Sequence, residues 1–150
     1  MGNKTTTSIR MTDEILIPRS PAEVWPVLID IAGYPKWWPR FLFVRLLHAN
    51  SGLVGTEFSI RPYGWRSFRC RVRLVEEPVR IGLQYEGNYM TGIAEWRLEP
   101  VGQGTRVIYD MDAEVNDLLV TLVGVMINLK SIHSYSMRRI FRNLKQQLFP

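Results

Sequence analysis

Few side chains in this sequence can do chemistry near neutral pH. His133 is one of two histidines and lies on an apolar stripe, with Met126, Leu129, Met137, Ile140, Leu144 and Leu148 at steps of three and four residues. Such steps mark one face of a helix. They turn an imidazole toward whatever that helix covers, where it could bind a polar ligand head or move a proton. The plainer reading is a core histidine satisfied by one hydrogen bond, since spacing fixes no Asp or Ser beside it. Asp13 shares a strand face with Ile15 and Ile17. Buried alone, its carboxyl would titrate high. The more ordinary expectation is a place near the strand end, reaching water.

Tyr85, Trp96 and Tyr109 fall on the apolar face of successive strands, with Phe58, Phe68 and Met111. Aromatic walls with a few polar tips describe a small-molecule pocket, and they describe an ordinary core equally well. With one cysteine, Cys70, and two histidines, His48 and His133, a zinc site has too few ligands. No Gly-rich phosphate loop and no Gly-x-Ser-x-Gly elbow is present. No cofactor is expected.

These residues must be placed by one domain, because 150 residues can bury one sizeable core. Apolar residues make up 46% and charged residues 22%, an ordinary balance for a soluble globule. The single cysteine excludes an internal disulfide and fits a reducing cytoplasm. Met1 to Ser8 is polar, so no secretory signal is expected, and residues 1–7 read as a flexible start. The loose fit of Met1 to Thr6 to a myristoylation pattern carries little weight.

The net charge is +5. Arg61, Arg66, Arg69, Arg71 and Arg73 follow one another with no acid between. By alternation Arg69, Arg71 and Arg73 point outward, away from any pocket. A second basic group, Lys130, Arg138, Arg139, Arg142 and Lys145, meets only one acid, Asp117, from Asn116 to the end. Such surfaces can attract anionic lipid, nucleic acid or an acidic ligand, or simply be solvated. The arginines are not interleaved with exposed aromatics in an RNA-binding pattern, which argues against nucleic acid.

Period-two alternation predicts strands over Ser8 to Ile17, Thr56 to Pro62, Phe68 to Glu76, Ile81 to Glu86, Met90 to Glu99 and Thr105 to Val115. In the third of these, Phe68, Cys70, Val72 and Leu74 are expected on one face. Phe41 to Ala49 reads as a long apolar strand. Asn116 or Asp117 can cap a helical region running to Leu148, which Gly124 could divide. Leu118 to Leu129 is apolar nearly all round but too short to span a bilayer. Between the first two strands, Ser20 can cap a short helix, with Pro21 at its first position and Glu23 completing a capping box. Val24, Trp25 and Leu28 form its apolar side, and a second short helix follows.

The stretch Ser20 to Arg40, SPAEVWPVLIDIAGYPKWWPR, holds three tryptophans within fourteen residues. With the strand before it, and with Gly92 to Pro100 and Gly104 to Val107 as paired late strands, the chain resembles the polyketide cyclase/dehydrase family of the START-like (SRPBCC) group over roughly residues 8–148. The resemblance implies an α+β helix-grip fold. A curved antiparallel sheet of about seven strands would hold a long C-terminal helix off its face and leave a cavity between. It implies binding or transport of a hydrophobic small molecule, such as a lipid, isoprenoid, pigment or polyketide. The expected ligand-binding set is Phe58, Phe68, Tyr85, Trp96, Tyr109, Met111, His133 and Met137. Aromatase/cyclase or dehydratase chemistry is the alternative. A ribosome- or quinone-associated interaction protein is a second one. A weak contact with an anionic membrane through the basic helix is a further expectation.

Overall fold

The computed structural model describes residues 7–88, 90–116 and 129–150. Seven strands form one antiparallel curved sheet: β1 Thr7–Ile17, β2 Arg45–His48, β3 Glu57–Ile60, β4 Phe68–Glu76, β5 Arg80–Glu86, β6 Met90–Val101 and β7 Gly104–Val115. Their order across the sheet is β1-β7-β6-β5-β4-β3-β2. Helices α1 Pro21–Ile29 and α2 Tyr34–Trp37 follow β1, and α3 Leu129–Leu148 closes the chain. The alternation works as a half-buried sheet requires. On β7, Val107, Tyr109, Met111, Ala113 and Val115 are buried, while Asp112 and Glu114 are exposed.

Local chemistry explains the start of α1. The Ser20 backbone N–H donates to the Glu23 carboxylate at 2.9 Å, and the Ser20 hydroxyl donates to the same oxygen at 3.2 Å. Val24, Trp25 and Leu28 are buried beneath the helix. Tyr34, Trp37 and Trp38 pack together with Phe58. The Asn143 side-chain amide donates to the Trp37 carbonyl at 2.7 Å and ties α3 to this aromatic cluster. Met137, Ile140, Phe141 and Leu144 are the buried face of α3.

Two expectations are corrected. Phe41 to Ala49 is not one strand. Arg40–Leu42 is a turn of 3₁₀ helix, Phe43 is left-handed at φ 46°, and β2 begins only at Arg45. In β4, Leu74 faces outward. The register steps from Val72↔Leu83 to Leu74↔Gly82, a β-bulge that inverts the alternation; Leu74 is exposed and Val75 packs inward instead. The helix start near Asn116 and Asp117, the apolar segment Leu118 to Leu129, Gly124 and the stripe side chains of Met126 and Leu129 concern residues or side chains outside those described.

Gly92 accounts for the tightest point of the sheet. It sits between Tyr85 of β5 and Ala113 of β7 at φ 152°, and a Cβ there would lie 2.4 Å from the Asp112 carbonyl oxygen. Only glycine fits so close an approach of backbones.

Candidate functional site

The concave face of the sheet and α3 enclose a cavity of about 320 Å³. Phe68 of β4, Tyr85 of β5, Trp96 of β6, and Tyr109 and Met111 of β7 line its sheet side; His133 and Met137 line its helix side. Seven of the eight expected residues therefore border one space. Phe58 does not. It is fully buried and packs against Tyr34 and Trp38, and Trp38 itself stands in the wall. The register gives the reason. Phe58 pairs with Cys70, but Ile60 pairs with Phe68, and the cavity occupies that end of the strands.

The wall also includes Ile9, Trp38, Leu42, Met90 and Val115, none of them in the expected set. Tyr63 and Trp65 come from the turn after β3 and are about half exposed, which puts them at the rim. Phe41 stacks between Tyr63 and Tyr135 of α3, at 4.9 and 6.0 Å between ring centres. The run Tyr63-Gly64-Trp65 reads as a loop in the sequence, but only the closure of the sheet sets it against the helix.

One polar constellation faces this apolar space. Asp13 lies in register with Tyr109 on the next strand, well inside β1 rather than at its end. The expected place near the strand end is thereby corrected; the side chain keeps 15% exposure to water, and its Oδ2 lies 3.5 Å from His133 Nδ1. Neither of these two atoms has a hydrogen-bond partner within bonding geometry among the described residues. The His133 imidazole, aided by the Ser134 hydroxyl and Arg138, outweighs burial and holds the Asp13 carboxyl below its ordinary range. The imidazole lies nearly parallel to the Tyr109 ring at 6.2 Å. The Tyr109 and Tyr85 hydroxyls hydrogen-bond each other, and burial pushes both phenols well up. Asp13 could not have been chosen from spacing, because the contact depends on how α3 crosses β1.

Outside the cavity the arginines behave differently from a bare basic patch. Arg71 donates to Glu57 at 2.9 Å, Arg69 lies 3.7 Å from Glu86, and Arg73 bonds Gln84. Arg80, Arg97 and Arg106 meet further carboxylates on the same face. Arg138, Arg139, Arg142 and Lys145 are exposed on α3 and make no ion pair among the described residues. Among those residues there is also no group of three His, Cys, Asp or Glu able to hold a metal, and no helix long and apolar enough to cross a membrane.

A curved seven-stranded antiparallel sheet closed on a C-terminal helix, with short helices after its first strand, defines the START-like, helix-grip class of proteins. Within that class the chain belongs to the polyketide cyclase/dehydrase and lipid transport family, whose model matches residues 8–148. No curated protein matches it. Among solved structures, it resembles TTHA0849 from Thermus thermophilus with a TM-score of 0.77 at 16% identity, covering 94% of this chain and 97% of that one. Norcoclaurine synthase from Thalictrum flavum, solved with dopamine and hydroxybenzaldehyde, gives 0.70 at 14% identity, covering 96% and 88%. CV1439 from Chromobacterium violaceum gives 0.69 at 15%, covering 95% and 97%. At these identities the likeness is one of fold.

Proposed function

We propose that this protein binds and carries a hydrophobic small molecule in the cavity between sheet and α3. The observation that carries the reading is the cavity itself, a ligand-sized space walled by aromatic and aliphatic side chains, with His133 in its wall and Asp13 beside His133. Family membership supports it. Mass spectrometry of organic extracts from the purified protein, with titration of the neutral fluorophore Nile red, tests it. Recovery of an apolar compound at near-stoichiometric yield and saturable Nile red uptake are the expected results. Absence of both would reject the reading.

A second reading, catalysis on the bound molecule, is favoured by the Asp13–His133 pair, since an imidazole backed by a carboxylate is a general base. Aromatase/cyclase or dehydratase chemistry would use it. Extracts whose compound is chemically altered by wild type but not by His133→Ala would support that reading. For delivery, the exposed cations of α3 and the exposed rim of Tyr63, Trp65 and Tyr135 favour contact with an anionic membrane. The one described cysteine thiol, Cys70, is buried and free, which suits a cytoplasmic carrier.

A further inference from the structure

The wall of the cavity holds hydrogen-bond donors that no described residue satisfies. The indole Nε1 atoms of Trp38 and Trp96 are buried without a partner among the described residues, and both side chains line the cavity. An indole N–H can only donate. Left unpaired in an apolar interior, each bears the cost of losing its bond to water with nothing in return. Both atoms lie beneath the cavity surface, so neither is an open anchor for a ligand atom. The Tyr85–Tyr109 pair uses one of its two hydroxyl protons between the rings and leaves the other over. The Ser136 hydroxyl, by contrast, is spent on the Ile132 carbonyl at 3.1 Å.

His133 is a polar group of the wall that the cavity reaches. Its Nδ1 is turned to the Asp13 carboxylate, so its proton belongs there and the opposite ring edge, bearing Nε2, is left for the cavity. The charges around it come from two elements. Asp13 is supplied by β1; Arg138, close enough to act on Asp13, comes from α3 itself, and β7 contributes only the neutral Tyr109. The charges of Asp13 and Arg138 are opposite, and a proton taken by the imidazole from an acid adds one positive charge beside the apolar space.

We propose that the ligand is an apolar acid, bound as its anion with an acid oxygen on His133 Nε2. The inference rests on the hydrophobic-ligand reading and names the polar end of that ligand. The proton balance is simple. The acid's proton resides on Nε2, the ligand carries one negative charge, and the Asp13 carboxylate at Nδ1 stabilises the imidazolium. A neutral alcohol or ester of the same chain satisfies the apolar wall but brings no proton to Nε2 and forms no ion pair there.

The test is displacement of Nile red at neutral pH by decanoic acid, decanol and methyl decanoate. It is run on wild type, His133→Gln and Asp13→Asn, and each affinity is read as a ratio to that for decanol. Wild type is expected to favour decanoate over both neutral compounds by about tenfold or more, an increment of about 1.4 kcal/mol. His133→Gln is expected to bring the acid-to-alcohol ratio to about one, and Asp13→Asn to an intermediate value. Equal affinity of wild type for acid and alcohol, with Nile red taken up, would overturn the acid inference and leave the hydrophobic-ligand reading standing. So would an undiminished ratio in His133→Gln. If no compound and no dye binds wild type, both fail. Should a variant lose dye uptake, the wild-type ratio decides alone.

Discussion

Asp13 and His133 show how much a single pair of side chains can set. An isolated buried carboxylate would be costly, and the imidazole beside it makes the position tolerable. Because the folded-state pKa of Asp13 is lowered from 3.8, the folded protein binds fewer protons there than the unfolded chain. The stabilisation is therefore present above the unfolded value and is lost as pH falls through the folded one. Urea titrations across the acid range should show Asp13→Asn losing less stability on acidification than wild type; parallel curves would remove the pair from the account. Gly92 acts through backbone alone. Gly92→Ala places a methyl 2.4 Å from a carbonyl oxygen at a φ of 152°. We expect a loss of more than about 2 kcal/mol in the same assay, which is large for one added methyl on a partly exposed strand. A loss within about 0.5 kcal/mol would mean that the sheet relaxes there at little cost.

At the scale of elements, α3 has two unlike faces. Met137, Ile140, Phe141 and Leu144 are buried, while Arg138, Arg139, Arg142 and Lys145 are exposed and without an ion pair among the described residues. Tyr135 precedes the first two arginines by one helical turn and joins them to the aromatic rim of the cavity. The sheet's outer face differs because its arginines sit opposite carboxylates on neighbouring strands. Cross-strand pairs of that kind lower the field seen by a distant anion. The membrane proposal is therefore specific to α3. Vesicle flotation should recover the protein with anionic but not neutral lipid, with recovery falling as salt rises. Each basic residue at the surface contributes about 1 kcal/mol at low salt. Replacing all four by Gln should abolish recovery. Retained recovery would assign the contact elsewhere.

For the whole molecule, the cavity is a departure from close packing. A wall of aromatics held apart forfeits contacts that a closed core would make, and an occupant returns them. Met90, half-buried at the cavity wall on β6, is the place to fill it. Met90→Trp should abolish Nile red uptake and leave the melting temperature equal to or above that of ligand-free wild type. Undiminished uptake would place the bound dye elsewhere. Stripping copurified compound from wild type should lower the melting temperature, since a ligand that binds only the folded state stabilises it by mass action.

Most of the architecture was legible because it is written in short-range periods. Alternation at two residues marked most of the strands and their buried faces, and steps of three and four marked α3. Ser20, Pro21 and Glu23 announced α1. Those signals depend only on neighbours in the chain, so one sequence suffices. They also led to Phe68, Tyr85, Trp96, Tyr109, Met111, His133 and Met137 as inward residues. What the periods cannot carry is where along the strands the space opens. Phe58 is inward but lies at the wrong end of its strand. A bulge at Leu74 reverses a face without any glycine or proline in β4 to mark it. The break in Phe41 to Ala49 needs a left-handed Phe43, a conformation no propensity would assign to that residue. The partnership of Asp13 with His133 arises only when α3 is laid across β1, because a contact between chain-distant residues is set by packing angle and register. Composition and period determined the fold and its apolar interior; the tertiary structure alone decided which polar groups meet inside it.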